Sequence, residues 1–165
     1  MCAKSTSKNA NSSKDNITTA MPVNFGKLLI YLGYQVRQAQ IAVFRDIALR
    51  LKELDITPGE FSLLTLVANN PEISQTALVK IYDLDKSTLS HAINRLVDRG
   101  LIDRKRPMHD RRLYALKLTN DGQRVLQKAT REIERQENIM DLALNPGERE
   151  QFLDMLVRIT QKLSP

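Results

Sequence analysis

The fold is decided by the stretch Asp110-Arg111-Arg112-Leu113-Tyr114-Ala115-Leu116-Lys117-Leu118-Thr119-Asn120-Asp121-Gly122 of this 165-residue chain. Residues 113–118 predict a β-strand, because Tyr114, Leu116 and Leu118 fall on one face when successive side chains alternate. Thr119 is a favoured helix N-cap and predicts a polar helix that runs to about Met140. The two arginines therefore lie where the tip of a hairpin is expected, just before a strand and a capped helix.

The residues before this stretch supply a helix and the first strand of the hairpin. Residues 86–99 have helical spacing, and Gly100 stands where a left-handed residue ends a helix. Residues 101–106 read as a short basic strand, which residues 107–111 connect to the next one. This order predicts a winged helix-turn-helix, a module that places one helix in the DNA major groove with a basic β-ribbon beside it. We therefore predict sequence-specific DNA binding.

The rest of the chain predicts more helices. Residues 24 to about 54 carry apolar side chains at steps of three and four, which predicts one long amphipathic helix. A capping box followed by Pro begins at Thr57 and opens a helix that ends near residues 69–71. Ser74 caps a short helix to about residue 82, and Asn145 begins a second cap-then-Pro pattern that opens the last helix. The predicted fold class is mainly α with a small β-wing.

Charge is concentrated in one part of the sequence. The formal net charge is +6, and residues 85–112 hold eight basic and four acidic groups. This segment therefore accounts for +4 of the total, which is typical of a phosphate-binding surface.

Residues 1–22 are rich in Ser, Asn, Thr and Lys and poor in apolar residues, so we expect a flexible tail there.

Several classes of protein are disfavoured by what the sequence lacks. No apolar run is long enough for a membrane span, and the N-terminus has no apolar core that could serve as a secretion signal, so neither is expected. Cys2 is the only cysteine, so no intramolecular disulfide forms and a cytoplasmic location is expected. We find no metal-ligand cluster, no phosphate-binding glycine loop and no nucleophile motif. The chain is therefore predicted not to be an enzyme and to need no metal or cofactor.

Two sets of residues are the candidates for DNA contact. The first is the outer face of helix 86–99, whose small, polar or cationic side chains suit base edges and phosphates. The second is the wing, where an arginine at the tip suits a narrow minor groove and an aspartate two residues before it can hold its guanidinium. An ordinary solvated helix face and a polar surface turn would account for the same residue types without DNA. The candidates are Lys86, Ser87, Thr88, Ser90, His91, Asn94 and Arg95 on the helix, and Arg104, Arg106, Asp110, Arg111 and Arg112 on the wing.

The order of these segments resembles the MarR family of bacterial transcription regulators. The matching residues are Ser87-Thr88-Leu89-Ser90, Arg99-Gly100-Leu101-Ile102, Asp110-Arg111-Arg112 and Leu118-Thr119-Asn120-Asp121-Gly122. The resemblance implies a homodimer with interlocking N- and C-terminal helices, 24–54 and 120–163. It also implies a winged helix-turn-helix over 56–119, with the helix-turn-helix at 74–99 and the wing at 101–118, within one domain of residues 23–163.

The resemblance also implies how such a protein works. A palindromic double-stranded site is read by helix 86–99, with Arg112 in the minor groove and Asp110 holding it. Many members repress their own operon and leave DNA when a small molecule binds in a cleft between the dimerisation helices and the DNA-binding lobe. Aromatic acids and their coenzyme A thioesters are effectors of some relatives, and oxidation of a cysteine controls others.

A ligand-responsive repressor is therefore the leading interpretation. Tyr31, Tyr34, Arg37 and Gln38 are the candidate ligand residues, because an aromatic acid needs a cation beside an apolar wall. Redox sensing through Cys2 is a second hypothesis, although no fixed basic group or helix N-terminus near it lowers its pKa. An architectural protein that binds DNA with little sequence preference is a third hypothesis. A protein-interaction module that uses the winged helix without DNA is a fourth.

Overall fold

The computed structural model describes residues 23–82, 86–105 and 115–164. Within these ranges the chain forms helices α1 (Leu32–Leu51), α2 (Pro58–Asn69), α3 (Gln75–Tyr82), α4 (Lys86–Asp98), α5 (Asn120–Asp141) and α6 (Glu148–Leu163). The strands are β1 (Ile73–Ser74), β2 (Ile102–Lys105) and β3 (Ala115–Leu118), and 3-10 turns cover Gly26–Ile30 and Lys52–Leu54. The predicted class, mainly α with a small β-wing, is confirmed.

The prediction of a single helix from 24 to about 54 is wrong at both ends. Residues 26–30 form a 3-10 turn, and Tyr31 is extended, with φ −84° and ψ 125°, so α1 begins only at Leu32. The last residues of the predicted helix form a second 3-10 turn that ends at Asp55. Apolar periodicity continues through both ends because it reports which face is apolar and not where the hydrogen-bonding pattern changes.

Side-chain caps set the starts of α2 and α3 where the sequence predicts them. The hydroxyl of Thr57 accepts a hydrogen bond from the Glu60 N–H (3.2 Å), and a Glu60 carboxylate oxygen accepts one from the Thr57 N–H (2.8 Å). These two bonds are the predicted capping box. The hydroxyl of Ser74 accepts a bond from the Ala77 N–H (3.1 Å), which begins α3.

Strand β3 lies at the centre of a small antiparallel sheet in the order β1-β3-β2. Leu116 of β3 pairs with Ile73 on one side and with Arg104 on the other. The N–H of Glu72 also donates to the Leu116 carbonyl oxygen (3.1 Å). The residue pattern predicts β2 and β3 but not β1, which has only two residues.

The hydrophobic core joins the helices to the sheet. Helices α2, α4 and α5 each bury one face against it, and the end of α1 contributes Leu51. Burial of large aliphatic side chains is the main stabilising contribution to such a core, at about 1.5–3 kcal/mol each. The buried members are Leu51, Ile56, Leu63, Leu64, Val67, Leu78, Leu89, Ile93, Leu96, Leu101, Ile102, Leu116, Leu126 and Ala129.

The last helix begins two residues later than the Pro-containing pattern predicts. Gly147 precedes α6 with a left-handed φ of 85°, so the helix starts at Glu148 and not at Pro146. The carboxylate of Glu148 accepts bonds from the backbone N–H (2.8 Å) and the side-chain amide (2.9 Å) of Asn145. The Asn145 side chain is used as a donor to this carboxylate, so the turn before α6 is not a repeat of the Thr57 box.

Helix α6 leaves most of its apolar side chains uncovered in the single chain. Arg149 forms ion pairs with Glu137 (2.7 Å) and Asp141 of α5. Beyond this polar link the apolar residues of α6 are exposed, among them Phe152, Leu153, Met155, Val157 and Ile159. None of the helices described here is long and apolar enough to cross a lipid bilayer.

Candidate nucleic-acid interface

Helix α4 presents a polar face opposite the core. Leu89, Ile93 and Leu96 are buried on its inner side, so the residues between them point away from the core. The exposed residues of this outer face are Ser87, Thr88, His91, Asn94 and Arg95. We call α4 the recognition helix, since its exposed side chains are those that the sequence predicts to contact DNA.

Ser90 has a different position from the other candidates on α4. Its side chain is half-buried, and its hydroxyl oxygen accepts a hydrogen bond from the Gln75 amide of α3 (2.7 Å). This bond joins the first turn of α3 to the first turns of the recognition helix. Ser90 therefore holds the two helices of the helix-turn-helix together, which its residue type alone does not reveal.

Asn94 is connected to the wing. Its Oδ1 accepts a hydrogen bond of 2.5 Å from an Nη of Arg104, which lies half-buried on β2. An amide oxygen has a second lone pair and the amide nitrogen keeps two N–H groups, so Asn94 retains the capacity for a bidentate contact with adenine. Arg104 thus orients a candidate base-reading side chain, and strand β2 and the recognition helix are fastened at this point.

Arg95 is engaged by groups of its own chain. One Nη donates to the carbonyl oxygen (3.0 Å) and the carboxylate (3.1 Å) of Asp55, and its Nε lies 3.3 Å from a carboxylate oxygen of Glu60. Arg99, one turn later, also reaches Asp55. The prediction that Arg95 faces DNA took no account of these partners, which lie 35 and 40 residues earlier in the sequence.

The end of the recognition helix is fastened to the start of α5. Gly100 is left-handed (φ 67°), as predicted, and its carbonyl oxygen accepts a bond from the Thr119 hydroxyl (2.6 Å). The Thr119 N–H donates to the Leu101 carbonyl oxygen (3.1 Å), and the Thr119 hydroxyl in turn accepts from the Gly122 N–H (2.9 Å). A Cβ at Gly122 would overlap the Leu101 carbonyl oxygen. This Thr119–Gly122 junction explains physically why the motif needs Thr and Gly.

The predicted tip of the wing lies outside the described residues. The residues outside the description include Arg106, Asp110, Arg111 and Arg112, and the side chain of Lys86 is outside it as well. The roles proposed for them stay predictions. The two strands that flank the tip are described as far as Lys105 and from Ala115 onward.

The four candidate ligand residues lie at or near the beginning of α1. Tyr31 is the extended residue before the helix and is exposed, and Tyr34 is half-buried. Arg37 and Gln38 are exposed on the following turn. The chain divides after Val36 into two compact units, with the tyrosines in the first unit and Arg37 and Gln38 in the second. Their role in ligand binding stays a prediction.

A basic cleft lies between the end of α1 and the middle of α5, and the sequence-based predictions do not include it. Its volume is about 370 Å³. Arg50 pairs with Asp46 (2.5 Å), and this hydrogen bond holds the pKa of the Asp46 carboxyl below its ordinary value. The sequence does contain a signal for this cleft, because basic residues recur at steps of three and four on α5 and therefore share one face of that helix. The lining residues are Arg50, Glu53, Leu54, Lys128, Arg131, Glu132 and Arg135.

A metal site would need several ligand side chains close together in the part of the chain that the structure describes. No group of three or more His, Cys, Asp or Glu side chains there is placed to hold an ion. The polar groups gathered around the recognition helix suit hydrogen bonding and phosphate contact instead.

Comparison with known proteins identifies the family. The family model described as MarR family matches residues 54–113. A protein of Thauera aromatica, described as a transcriptional regulatory protein for the hcr operon, is 34% identical over 135 residues, which cover 81% of each chain. The chain belongs to the MarR family. This MarR-type chain is a transcription regulator.

Solved structures of MarR-family members share the fold. The transcriptional repressor CouR bound to a 23-mer DNA duplex is 31% identical and has a TM-score of 0.80, with 84% of this chain and 99% of that chain covered. CouR bound to p-coumaroyl-CoA is 29% identical, with a TM-score of 0.78 and coverage of 86% and 100%. PcaV from Streptomyces coelicolor, in complex with its natural ligand, is 25% identical, with a TM-score of 0.74 and coverage of 86% and 100%.

Proposed function

We propose that this MarR-family chain is a dimeric repressor that reads a palindromic DNA site with its recognition helix and leaves it when a small ligand binds. The observation that carries the proposal is the exposed polar face of α4, with Asn94 oriented by Arg104 of the wing. In a helix-turn-helix, side chains near the start of this helix contact base edges in the major groove. A similar chain has been solved on a DNA duplex, which supports the same use of the module here.

The uncovered apolar residues of α6 support the dimer. Phe152 and Met155 are each 48% exposed, and Phe44 of α1 is 51% exposed. Large apolar side chains left exposed along two helices are typical of a protein–protein interface rather than of a solvated surface. We infer that a second copy of the chain covers them, since closed twofold assemblies are the commonest oligomers and match palindromic sites. Sedimentation of the full chain at several concentrations tests this inference.

The effector that we propose is an aromatic acid or its coenzyme A thioester. Support for the thioester comes from CouR, which has been solved with p-coumaroyl-CoA. Tyr31, Tyr34, Arg37 and Gln38 are our candidates for the aromatic acid. The basic cleft offers cations such as Lys128 and Arg131 to the phosphates of a thioester. Ligand binding would favour an arrangement of the two recognition helices that no longer matches the half-sites.

Fluorescence anisotropy on DNA from upstream of the chain's own gene tests the proposal. The titrations use this duplex and a scrambled duplex, across a salt series, with and without aromatic acids and their coenzyme A thioesters. We expect tight and salt-sensitive binding to the upstream duplex, released by one compound. Equal affinity for both duplexes would instead support an architectural protein, and absence of binding to either would refute the proposal.

Asn94→Ala tests whether the recognition helix reads bases. Loss of a bidentate base contact should reduce discrimination between the upstream and scrambled duplexes by about 1–3 kcal/mol. Gln127→Ala, which removes an exposed amide on α5, is the matched control and should leave discrimination unchanged. If discrimination survives in Asn94→Ala, this residue does not read a base.

A further inference from the structure

Asp55 lies between the 3-10 turn that follows α1 and the start of α2. Asp55 has φ 50° and ψ 41°, a left-handed conformation that is uncommon for residues other than glycine. Its backbone N–H donates to the Lys52 carbonyl oxygen (3.0 Å), which closes the 3-10 turn. The turn thereby directs the Asp55 carbonyl oxygen and carboxylate towards the recognition helix, where two arginines meet them.

Arg95 lies in the last turn of the recognition helix, and Arg99 follows directly after its end. Arg95 donates to the Asp55 carbonyl oxygen (3.0 Å) and to its carboxylate (3.1 Å). Arg99 donates to the same carbonyl oxygen and to the Leu54 carbonyl oxygen (3.1 Å), and its Nε lies 3.6 Å from the carboxylate. Asp55, which follows the 3-10 turn after α1, is thus contacted both by the last turn of α4 and by the residue just after it. We call Asp55, Arg95 and Arg99 the Asp55 clamp.

A buried carboxylate holds Arg95 from the other side. The Glu60 side chain is 3% exposed; one of its oxygens accepts a bond from the Thr57 N–H and the other lies 3.3 Å from Arg95 Nε. A buried charge is costly unless it is paired, so this contact favours keeping the guanidinium in place. Arg95 is 45% exposed, yet both its Nε and one Nη are directed at its own chain.

We propose that Asp55 is a positioning residue for DNA recognition, which acts through Arg95 and Arg99 to fix the recognition helix to the turn that follows α1. This inference rests on the proposed function in one respect, namely that α4 reads DNA. It assigns Arg95 a role within the protein in place of a DNA contact. Because only the 3-10 turn Lys52–Leu54 separates α1 from the clamp, a displacement of the end of α1 would be transmitted through this turn to the recognition helix.

Two explanations of Arg95 predict opposite effects of one substitution. The Asp55 side chain is 74% exposed and negatively charged. If Arg95 contacts DNA phosphate, Asp55→Asn would release the arginine, remove a repulsive charge and strengthen binding. If Asp55 is a clamp, the same substitution loosens α4 and weakens binding. Asn tolerates the left-handed conformation of Asp55, so this variant removes the charge and keeps the turn.

The experiment measures affinity for the upstream duplex over a salt series for the full chain, Asp55→Asn, Arg95→Gln and the double variant. We expect each single variant to bind the duplex about tenfold more weakly, which is a usual effect for residues that act through a shared contact. The double variant should bind no more weakly than either single variant, because both substitutions break the same contact. The dependence of log Kd on log salt should be unchanged, because no phosphate contact is lost. Asp121→Asn, which removes an exposed carboxylate paired with Arg124 on α5, is the matched charge control.

The outcomes separate the clamp from the proposed function. The clamp would be overturned if Asp55→Asn bound DNA more strongly than the unsubstituted protein. It would also be overturned if the slope of log Kd against log salt fell by about one in Arg95→Gln. Either result would restore Arg95 as a phosphate contact. Unchanged affinity in both variants would overturn it as well. If the unsubstituted protein bound neither the upstream nor the scrambled duplex, the proposed function itself would fail. Should Asp55→Asn not fold, Arg95→Gln alone still decides, since its affinity and salt dependence are both measured.

Discussion

Gly122→Ala is the substitution whose effect follows most directly from the structure. A Cβ at this position would overlap the carbonyl oxygen of Leu101 and lie 3.0 Å from its carbonyl carbon and 3.3 Å from its Cα. All three atoms are backbone, so no side chain can rotate to make room. Gly122 lies in the first turn of α5, where Ala is otherwise preferred over Gly by about 1 kcal/mol. The expected loss therefore comes from lack of space alone.

The size of this loss can be worked out from the bonds at the Thr119–Gly122 junction. Forcing an extra carbon into a packed site costs about 1–3 kcal/mol. Moving α5 away from Leu101 also weakens the bonds from Thr119 to the Leu101 and Gly100 carbonyl oxygens, which contribute about 1 kcal/mol each. After subtraction of the helix preference of Ala, the free energy of unfolding should fall by about 2–4 kcal/mol.

Urea unfolding followed by circular dichroism, at one fixed protein concentration, measures this difference. Gly59→Ala is the matched control, because a Cβ there meets only the Thr57 hydroxyl oxygen at 4.0 Å. The control should be neutral or more stable by up to about 1 kcal/mol. If Gly122→Ala unfolded at the same urea concentration as the unsubstituted protein, the close approach of α5 to Leu101 would not exist in solution.

Two further predictions concern the wing and the acid side of the stability curve. Arg112→Ala should weaken binding to the upstream and scrambled duplexes by a similar factor, because a minor-groove contact reads mainly width and charge; anisotropy that shows no change would remove the wing from the mechanism. The hydrogen bond from Arg50 lowers the pKa of Asp46, so the stability it contributes is complete at neutral pH and is lost as the pH falls below the ordinary carboxyl range. Between pH 7 and pH 3, the free energy of unfolding measured in urea should therefore fall less for Asp46→Asn than for the unsubstituted protein. An identical pH dependence in the two proteins would contradict this prediction.

Local chemistry explains which parts of the fold the sequence predicts well. Thr57, Ser74 and Thr119 each cap a helix through bonds that span only three residues, so residue type and spacing contain the information. Gly100 is recognised for the same reason, as a left-handed residue at the end of a periodic segment. The order of helices and strands follows from these boundaries, and the fold class follows from the order.

Features that depend on distant residues are not predictable in this way. Strand β1 has two residues and exists because Ile73 pairs with Leu116, far along the chain. Charge and helix position assign Arg95 to DNA, whereas its orientation depends on Asp55 and Glu60. Ser90 likewise depends on Gln75 of another helix. A single sequence shows that such a side chain is polar, but the fold decides whether its partner is DNA or its own chain.

The pairing of β3 on both sides has a consequence for protein engineering. Its register is set by β1 as well as by β2, so the strand does not depend on the hairpin connection alone for its place in the sheet. Residues 106–114 can therefore be treated as a cassette, exchanged among relatives or altered in length while the bonds at Leu116 keep the flanking strands in register. If the wing tip contacts the minor groove as the sequence predicts, libraries confined to that cassette would change this contact without requiring a new core.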